Sequence, residues 1–236
     1  MTCAQEVIAR FANKFTSKMK CVGCEGNCSS GCCCDICLNY DFGNIPNYKC
    51  DFLRSAYVLR YLYVHKAEIK QMYSVNSKKI ASHLLFAKRD QDEQFVIAAA
   101  GAGPGTDFVS FLEWLHDYRR PMQNAMPSNL IFLRIDKEDN WGEQYLEVLD
   151  SYTPIIDVNK LSIDKRKLIV DMFQPMSKKP KKRFDILSMS YVLSENCRSG
   201  DGHQRLSILW DNLKTSFKEK SIFTQLSQEQ KVCNIL

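Results

Sequence analysis

The chain has no apolar run approaching about 18 residues, so neither a membrane-spanning helix nor a conventional secretory signal is expected. A secreted disulfide scaffold is not expected either, since no export signal is expected and the eleven cysteines are an odd number. Between residues 21 and 50 large apolar side chains are few. A segment of that composition has to be held by cross-links rather than by a core. Neither sign of charge dominates, the formal net charge being +5. With 236 residues the chain can bury one good core, which favours a single α/β domain with an appended module over two full domains.

What is present is unevenly placed. Cys21, Cys24, Cys28, Cys32, Cys33, Cys34, Cys37 and Cys50 fall in one 30-residue window, while Cys3, Cys197 and Cys233 stand alone. CVGCEGNCSSGCCCDIC supplies CxxC spacing at Cys21 and Cys24 and again at Cys34 and Cys37, with glycines at 23, 26 and 31 that ease tight turns. Thiolates on such turns suit tetrahedral zinc. Eight of them suffice for two four-thiolate sites or one cluster with bridging thiolates. An iron–sulfur cluster and a metal-free reactive thiol group are the alternatives. His65 is a candidate replacement ligand, against its ordinary reading as a partly buried polar residue on an aromatic helix.

The second concentration is the basic block KKPKKR, formed by Lys178, Lys179, Lys181, Lys182 and Arg183 around Pro180. Three readings stand: a solvated loop, a nuclear-targeting patch, and a loop that contacts phosphates. The sequence-level localisation is accordingly nucleus or cytoplasm. The basic amphipathic start, with Val7, Ile8, Phe11, Phe15 and Met19 at helical spacing, allows a mitochondrial presequence, but Glu6 and the cysteines downstream favour a packing helix over residues 3 to 20. The expected division is therefore 1–50, a helix and a cysteine-rich metal module, and 51–236, a helical lead-in followed by the α/β domain.

That lead-in is expected as helices over about 50–74 and 77–87. Apolar strands follow at 95–100, 129–135, 167–170 and 184–189, with helical stretches at 106–119, 141–151 and 203–219 and a short apolar patch at Ile222 and Phe223 for a fifth strand. Such alternation implies right-handed crossovers and a mostly parallel, Rossmann-like sheet with flanking helices. The first strand runs into Gly101, Gly103 and Gly105. Glycines there permit positive φ and close backbone approach, and the following helix offers N–H groups to a ligand; a tight turn without a ligand is the plain alternative. Asp136 closes the second strand, where a carboxylate can accept from a ribose diol or cap a helix. Asp171 closes the third and suits either an adenine amino group or a turn cap. Ser188, Met189, Ser190 and Tyr191 end the fourth and would line the same crevice.

Over Phe95 to Leu226 these features resemble the class I S-adenosylmethionine-dependent methyltransferases. GAGPGTD looks like the cofactor loop of that family, and the resemblance gives Asp136 the ribose hydroxyls, Asp171 the adenine, and Phe184 to Glu195 the methyl acceptor. MSYVLSE is similar to the corresponding turn of a ribosome-associated branch. Ala99 stands where the family commonly carries an acidic residue, and Asp107 is either its substitute at the methionine ammonium or an ordinary first-turn residue. No NPPY-like segment follows the fourth strand, and the final strands of the usual seven-stranded sheet are not expected. A nicotinamide dehydrogenase is the rival reading of the glycine turn, but Pro104 and the lack of a second mononucleotide half oppose it. The implied activity is methyl transfer from S-adenosylmethionine to a macromolecule, RNA first, with RNA or an RNA-associated protein as partner and no membrane. A noncatalytic interaction module on the same fold is the alternative. No catalytic base is identified, and Tyr191 is read either as a lining residue or as packing.

Overall fold

A computed structural model describes residues 3–16, 48, 51–89, 94–122, 129–137, 139–153, 162–176, 184–190, 192 and 201–226. The eight clustered cysteines, the KKPKKR block and Tyr191 lie outside the described residues. Helix α1 (Cys3–Thr16) is followed by α2 (Asp51–Val75) and α3 (Ser77–Arg89). The α/β part runs β1 (Gln94–Ala100), α4 (Thr106–Met122), β2 (Asn129–Asp136), α5 (Gly142–Tyr152), β3 (Ser162–Ile169), β4 (Phe184–Ser190), α6 (Gly202–Leu213), a 3-10 turn (Lys214–Ser216) and β5 (Phe217–Leu226). Among the described residues the five strands pair in parallel in the order β3-β2-β1-β4-β5, the mostly parallel, Rossmann-like sheet expected.

β1 sits at the centre of this sheet and is buried on both faces. Because side chains alternate along a strand, Phe95, Ile97 and Ala99 join the core under α1 to α5, and Val96, Ala98 and Ala100 join the core that contains Leu209 and Leu213 of α6. A continuous apolar run, rather than an alternating one, is what such a position requires. Its ladder to β4 begins only at Ile97, so the amide of Val96 is satisfied instead by Asp185 Oδ2 at 2.7 Å.

The first core is strongly aromatic. Phe108 and Phe111 of α4 pack on Phe132, 4.8 Å between ring centroids for Phe108, Phe111 also stacks on Phe95, and Trp114 packs on Phe111. Full burial of one such ring contributes about 1.5–3 kcal/mol. Val7 and Phe11 bring α1 into the same core as the sheet. Helix α2 is fastened to its neighbours by polar groups as well. Lys66 Nζ pairs with Glu113 of α4 and lies 3.2 Å from the Tyr152 hydroxyl of α5, while Arg54 Nε donates to Gln144 Oε1 at 3.0 Å. None of the helices among the described residues is long and apolar enough to cross a membrane.

Two boundaries differ from the sequence expectation. β3 starts at Ser162 rather than near 167, and all eight of its residues pair with β2. SIDKRKLI is an edge strand, half exposed and charged, so most of it carries no apolar signal. The helix expected to reach 219 ends at Leu213, and residues from Phe217 onward belong to β5. Pairing with β4 overrides the polar, helix-compatible composition of FKEKS.

Arg134 is the exceptional residue of β2, a guanidinium only 1% exposed. It reaches Asp139 in the turn after the strand, and its Cζ lies 5.4 Å from the centre of the Tyr145 ring on α5. Lys167 of β3 meets the other oxygen of Asp139. Among the described residues, Arg134 Nη1 has no hydrogen-bond partner, so Asp139 carries much of the compensation of a buried charge. Asp139→Asn should lower stability by about 1 kcal/mol, the low end for a charge-assisted bond because solvent reaches its carboxylate. The Lys167 hydrogen bond, and then the Arg134 charge, hold the Asp139 carboxyl below its ordinary value of 3.8. A depressed carboxylate stabilises above that value and loses its contribution as pH falls through the lowered one. Melting temperature against pH should therefore fall more steeply below pH 3.8 for the native chain than for Asp139→Asn; parallel curves would refute the pairing.

Candidate ligand cleft at the carboxyl ends of the strands

The chain leaves β1 toward β2 on one side and later returns to place β4 on the other. At such a switch point the connections diverge and leave a crevice beyond the carboxyl ends of the strands. An open cleft of about 110 Å³ occupies this place. Of the residues expected to bind cofactor, Gly101, Gly103, Asp136, Asp171 and Ser190 all line it. They come from four different strand ends.

Gly101 follows β1 directly and has φ +61°. Its N–H donates to the Ile135 carbonyl at 2.8 Å, which continues the contact with β2 past the last paired residue. A Cβ at this position would stand 2.5 Å from Val192 Cγ2. Glycine is thus needed for both the backbone angle and the space. Gly105, at φ +84°, is constrained from the other side, since a Cβ there would lie 2.7 Å from Tyr145 Cδ2. It is not among the lining residues of the cleft; it lets α4 start against the Tyr145 ring.

Asp107, in the first turn of α4, also lies behind the cleft wall rather than in it. It is 3% exposed, and its Oδ1 accepts the hydroxyls of Ser188 and Ser190, the latter at 2.6 Å. The Tyr73 hydroxyl donates to its main-chain carbonyl at 3.4 Å. Burial raises the Asp107 carboxyl above the usual range, and the two serine hydrogen bonds oppose that rise. Ser190, half-buried at the end of β4, is the member of this group that reaches the cleft.

Asp136 accepts the Val170 N–H on its main-chain carbonyl at 2.8 Å, which draws the end of β3 alongside β2. Asp171 caps its own turn, with Oδ1 accepting the Phe173 N–H at 2.9 Å, and it faces the cleft as well. The turn after β3 is secured from α6 by a residue the sequence reading did not single out. Asn212 Nδ2 lies 2.8 Å from both the Met172 and Gln174 carbonyls, and its Oδ1 accepts the Met176 N–H at 3.2 Å.

An aromatic wall was also missed. Tyr48, Tyr57 and Trp141 line the cleft together, with centroids 5.9 Å apart for the two tyrosines and 5.2 and 5.4 Å from each to the tryptophan. Arg54 Nη1 holds the Tyr48 carbonyl. Clustered faces of this kind suit a flat ring or a cation. The available sequence signal was Trp141, five residues past Asp136 in the same turn. Lys137 supplies a positive charge at the rim. His65 lies further along α2, stacked on Tyr61 at 5.4 Å, with burial lowering its pKa. Among the described residues no group of three or more His, Cys, Asp or Glu is placed to hold a metal.

Gly101→Ala should cost about 1–3 kcal/mol, combining left-handed strain with the collision at Val192. Adding Val192→Ala should recover the collision part only, read as partial restoration of the melting temperature. Full restoration would show that the backbone angle is not constraining.

No known family description matches the chain, and no curated protein matches it. Among solved structures it is similar to the glycopeptide N-methyltransferase MtfA in complex with S-adenosyl-L-methionine, with a TM-score of 0.34 and 14% identity over 60% of this chain and 47% of that one. A second structure of MtfA gives a TM-score of 0.34 and 14% identity over 61% and 51%. The chain spans about half the length of these structures.

Proposed function

We propose that the chain is an S-adenosylmethionine-dependent methyltransferase that acts on a macromolecule, RNA in the first instance. The observation that carries this reading is the open cleft in which Gly101, Asp136, Asp171 and Ser190 converge from four strand ends. A noncatalytic scaffold would be expected to fill that space with side chains. The residues present also fit the cofactor chemically, since positive-φ glycine leaves room for a ligand beside the strand end and two carboxylates stand where hydroxyl and amino donors need acceptors.

In this reading Asp136 accepts from a ribose diol, Asp171 takes the nucleobase side, and the Tyr57 and Trp141 rings exclude water from the bound group. S-adenosylmethionine supplies a methyl group on an electron-poor sulfonium. The contribution of the chain is then alignment, which can provide much of the rate when the acceptor is itself a good nucleophile. RNA is favoured by the KKPKKR block and by Lys137 at the rim, because phosphate contacts need charge rather than a base code. The clustered cysteines are proposed to bind zinc, with an iron–sulfur cluster as the alternative, and to order their segment through coordination.

Calorimetric titration should give micromolar binding of S-adenosylmethionine, and Asp136→Ala should weaken it by about ten- to a hundredfold. Absence of binding would favour the scaffold. Labelled methyl transfer compared between total RNA and a protein extract should mark RNA; label confined to protein would reject the acceptor. Elemental analysis of protein purified without oxidation should find zinc, whereas neither zinc nor iron would sink the metal proposal.

A further inference from the structure

The aromatic wall of the cleft holds one polar group that the protein leaves unused. Trp141 is 4% exposed and lines the cleft. An indole has a single N–H donor and no acceptor. Among the described residues Trp141 Nε1 makes no hydrogen bond, and it is not one of the buried side-chain atoms without a partner, as Arg134 Nη1 and the Tyr145 hydroxyl are. The small part of this side chain that solvent reaches therefore includes its N–H, and the space there is the cleft. The position of the ring agrees. A Cβ on Gly103 would lie 3.8 Å from Cε2, the carbon that carries Nε1, so the nitrogen edge runs along the glycine turn.

The neighbours of this donor say what it calls for. Asp136 and Asp171 bring carboxylates to the cleft, and Ser190 gives its hydrogen to Asp107 at 2.6 Å, so these three offer acceptors to a ligand. Trp141 instead needs a ligand atom with a lone pair. Tyr48 and Tyr57, both half-buried, stand 5.2 and 5.4 Å from it between ring centroids, a setting that suits a flat ring. A positive charge is close by, since Lys137 is exposed at the rim. Lys165, Arg166 and Lys167 on neighbouring β3 each pair with an aspartate, whereas Lys137 has no ion pair among the described residues. A flat ring with a lone pair on its edge, joined to an anion, is a nucleotide unit.

We propose that Trp141 reads a base: its N–H donates to a ring nitrogen or carbonyl oxygen of an unpaired RNA base seated against Tyr48, Tyr57 and Trp141, with Lys137 on an adjoining phosphate. The proposal rests on the chain acting on RNA at this cleft, and it leaves Asp136 and Asp171 to the cofactor. The seat is built from the residues at the start of α2 and the turn after β2. A base inside a duplex does not fit it, because its faces are stacked and its edge is engaged. In so dry and aromatic a surround a hydrogen bond left unmade is costly, so a strand that lacks the base loses more than stacking.

The test measures binding of two short single strands to the full chain in the presence of excess S-adenosylhomocysteine: an RNA oligonucleotide and an abasic strand of the same length and charge. The native chain should prefer the base-bearing strand by about tenfold or more, the value of one stacked base. Trp141→Phe keeps a ring and removes the N–H, and should reduce that preference by about threefold or more. Tyr57→Leu should reduce it through lost stacking. Lys137→Ala should weaken both strands together and lower the salt dependence of each by about one ion. Affinity for S-adenosylhomocysteine should stay within about twofold in all three variants. A preference unchanged in Trp141→Phe overturns base reading by the indole. So does a Trp141→Phe chain that loses affinity for S-adenosylhomocysteine with its strand preference intact, since the N–H then serves the cofactor. If that variant does not fold, an unchanged preference in Tyr57→Leu overturns the seat. Equal native affinity for the two strands, with S-adenosylhomocysteine bound, overturns the proposal and leaves the cofactor site standing. A native chain that binds neither S-adenosylhomocysteine nor RNA overturns it together with the methyltransferase reading.

Discussion

A parallel sheet brings the carboxyl ends of all its strands to one side, where the chain must turn away and its backbone groups lose their ladder partners. Those turns form the cleft, so the cleft exists only if each is held from behind by groups that do not face the ligand. Here a buried polar side chain does this in each of three places. Asp107 binds the hydroxyls at the end of β4, Arg134 meets Asp139 in the turn after β2, and Asn212 holds three main-chain groups of the turn after β3. Each makes polar contacts in surroundings where leaving them unmade is costly. Specificity of shape at the cleft is thus a product of the layer beneath it.

This layer and the cleft surface were unequally visible in the sequence. Gly101, Asp136, Asp171 and Ser190 are readable because each follows or ends an apolar run, and the end of a run marks the carboxyl end of a buried strand. β3 is legible only at its apolar tail and β5 only at Ile222 and Phe223, its first residues reading as helix, because neither position imposes a continuous apolar pattern. Arg134 looks like an ordinary surface charge until the turn folds Asp139 back onto it. Ser188 and Asp107 are 81 residues apart, and nothing local in either segment announces the other. Tyr57 and Trp141 are ambiguous for a further reason: an aromatic residue that faces a ligand and one that faces a core obey the same periodicity.

The glycine turn takes on a more exact meaning in three dimensions. Its first member adjoins the ligand space and Val192, whereas its third adjoins the Tyr145 ring in the protein interior. Spacing alone treats the three glycines as equivalent. The separation between lining and packing roles depends on which neighbour a Cβ would meet, and those neighbours arrive from β4 and α5.

Tyr145 joins these observations. Its ring lies over Gly105, meets Phe108 edge-on at 5.9 Å, and carries the Arg134 guanidinium on its other contacts. One aromatic side chain is therefore shared between the turn after β1 and the turn after β2. Two turns about thirty residues apart in the chain thus share one packing contact. Truncating this ring would remove packing from both turns at once, so its cost to stability is spread over two edges of the cleft.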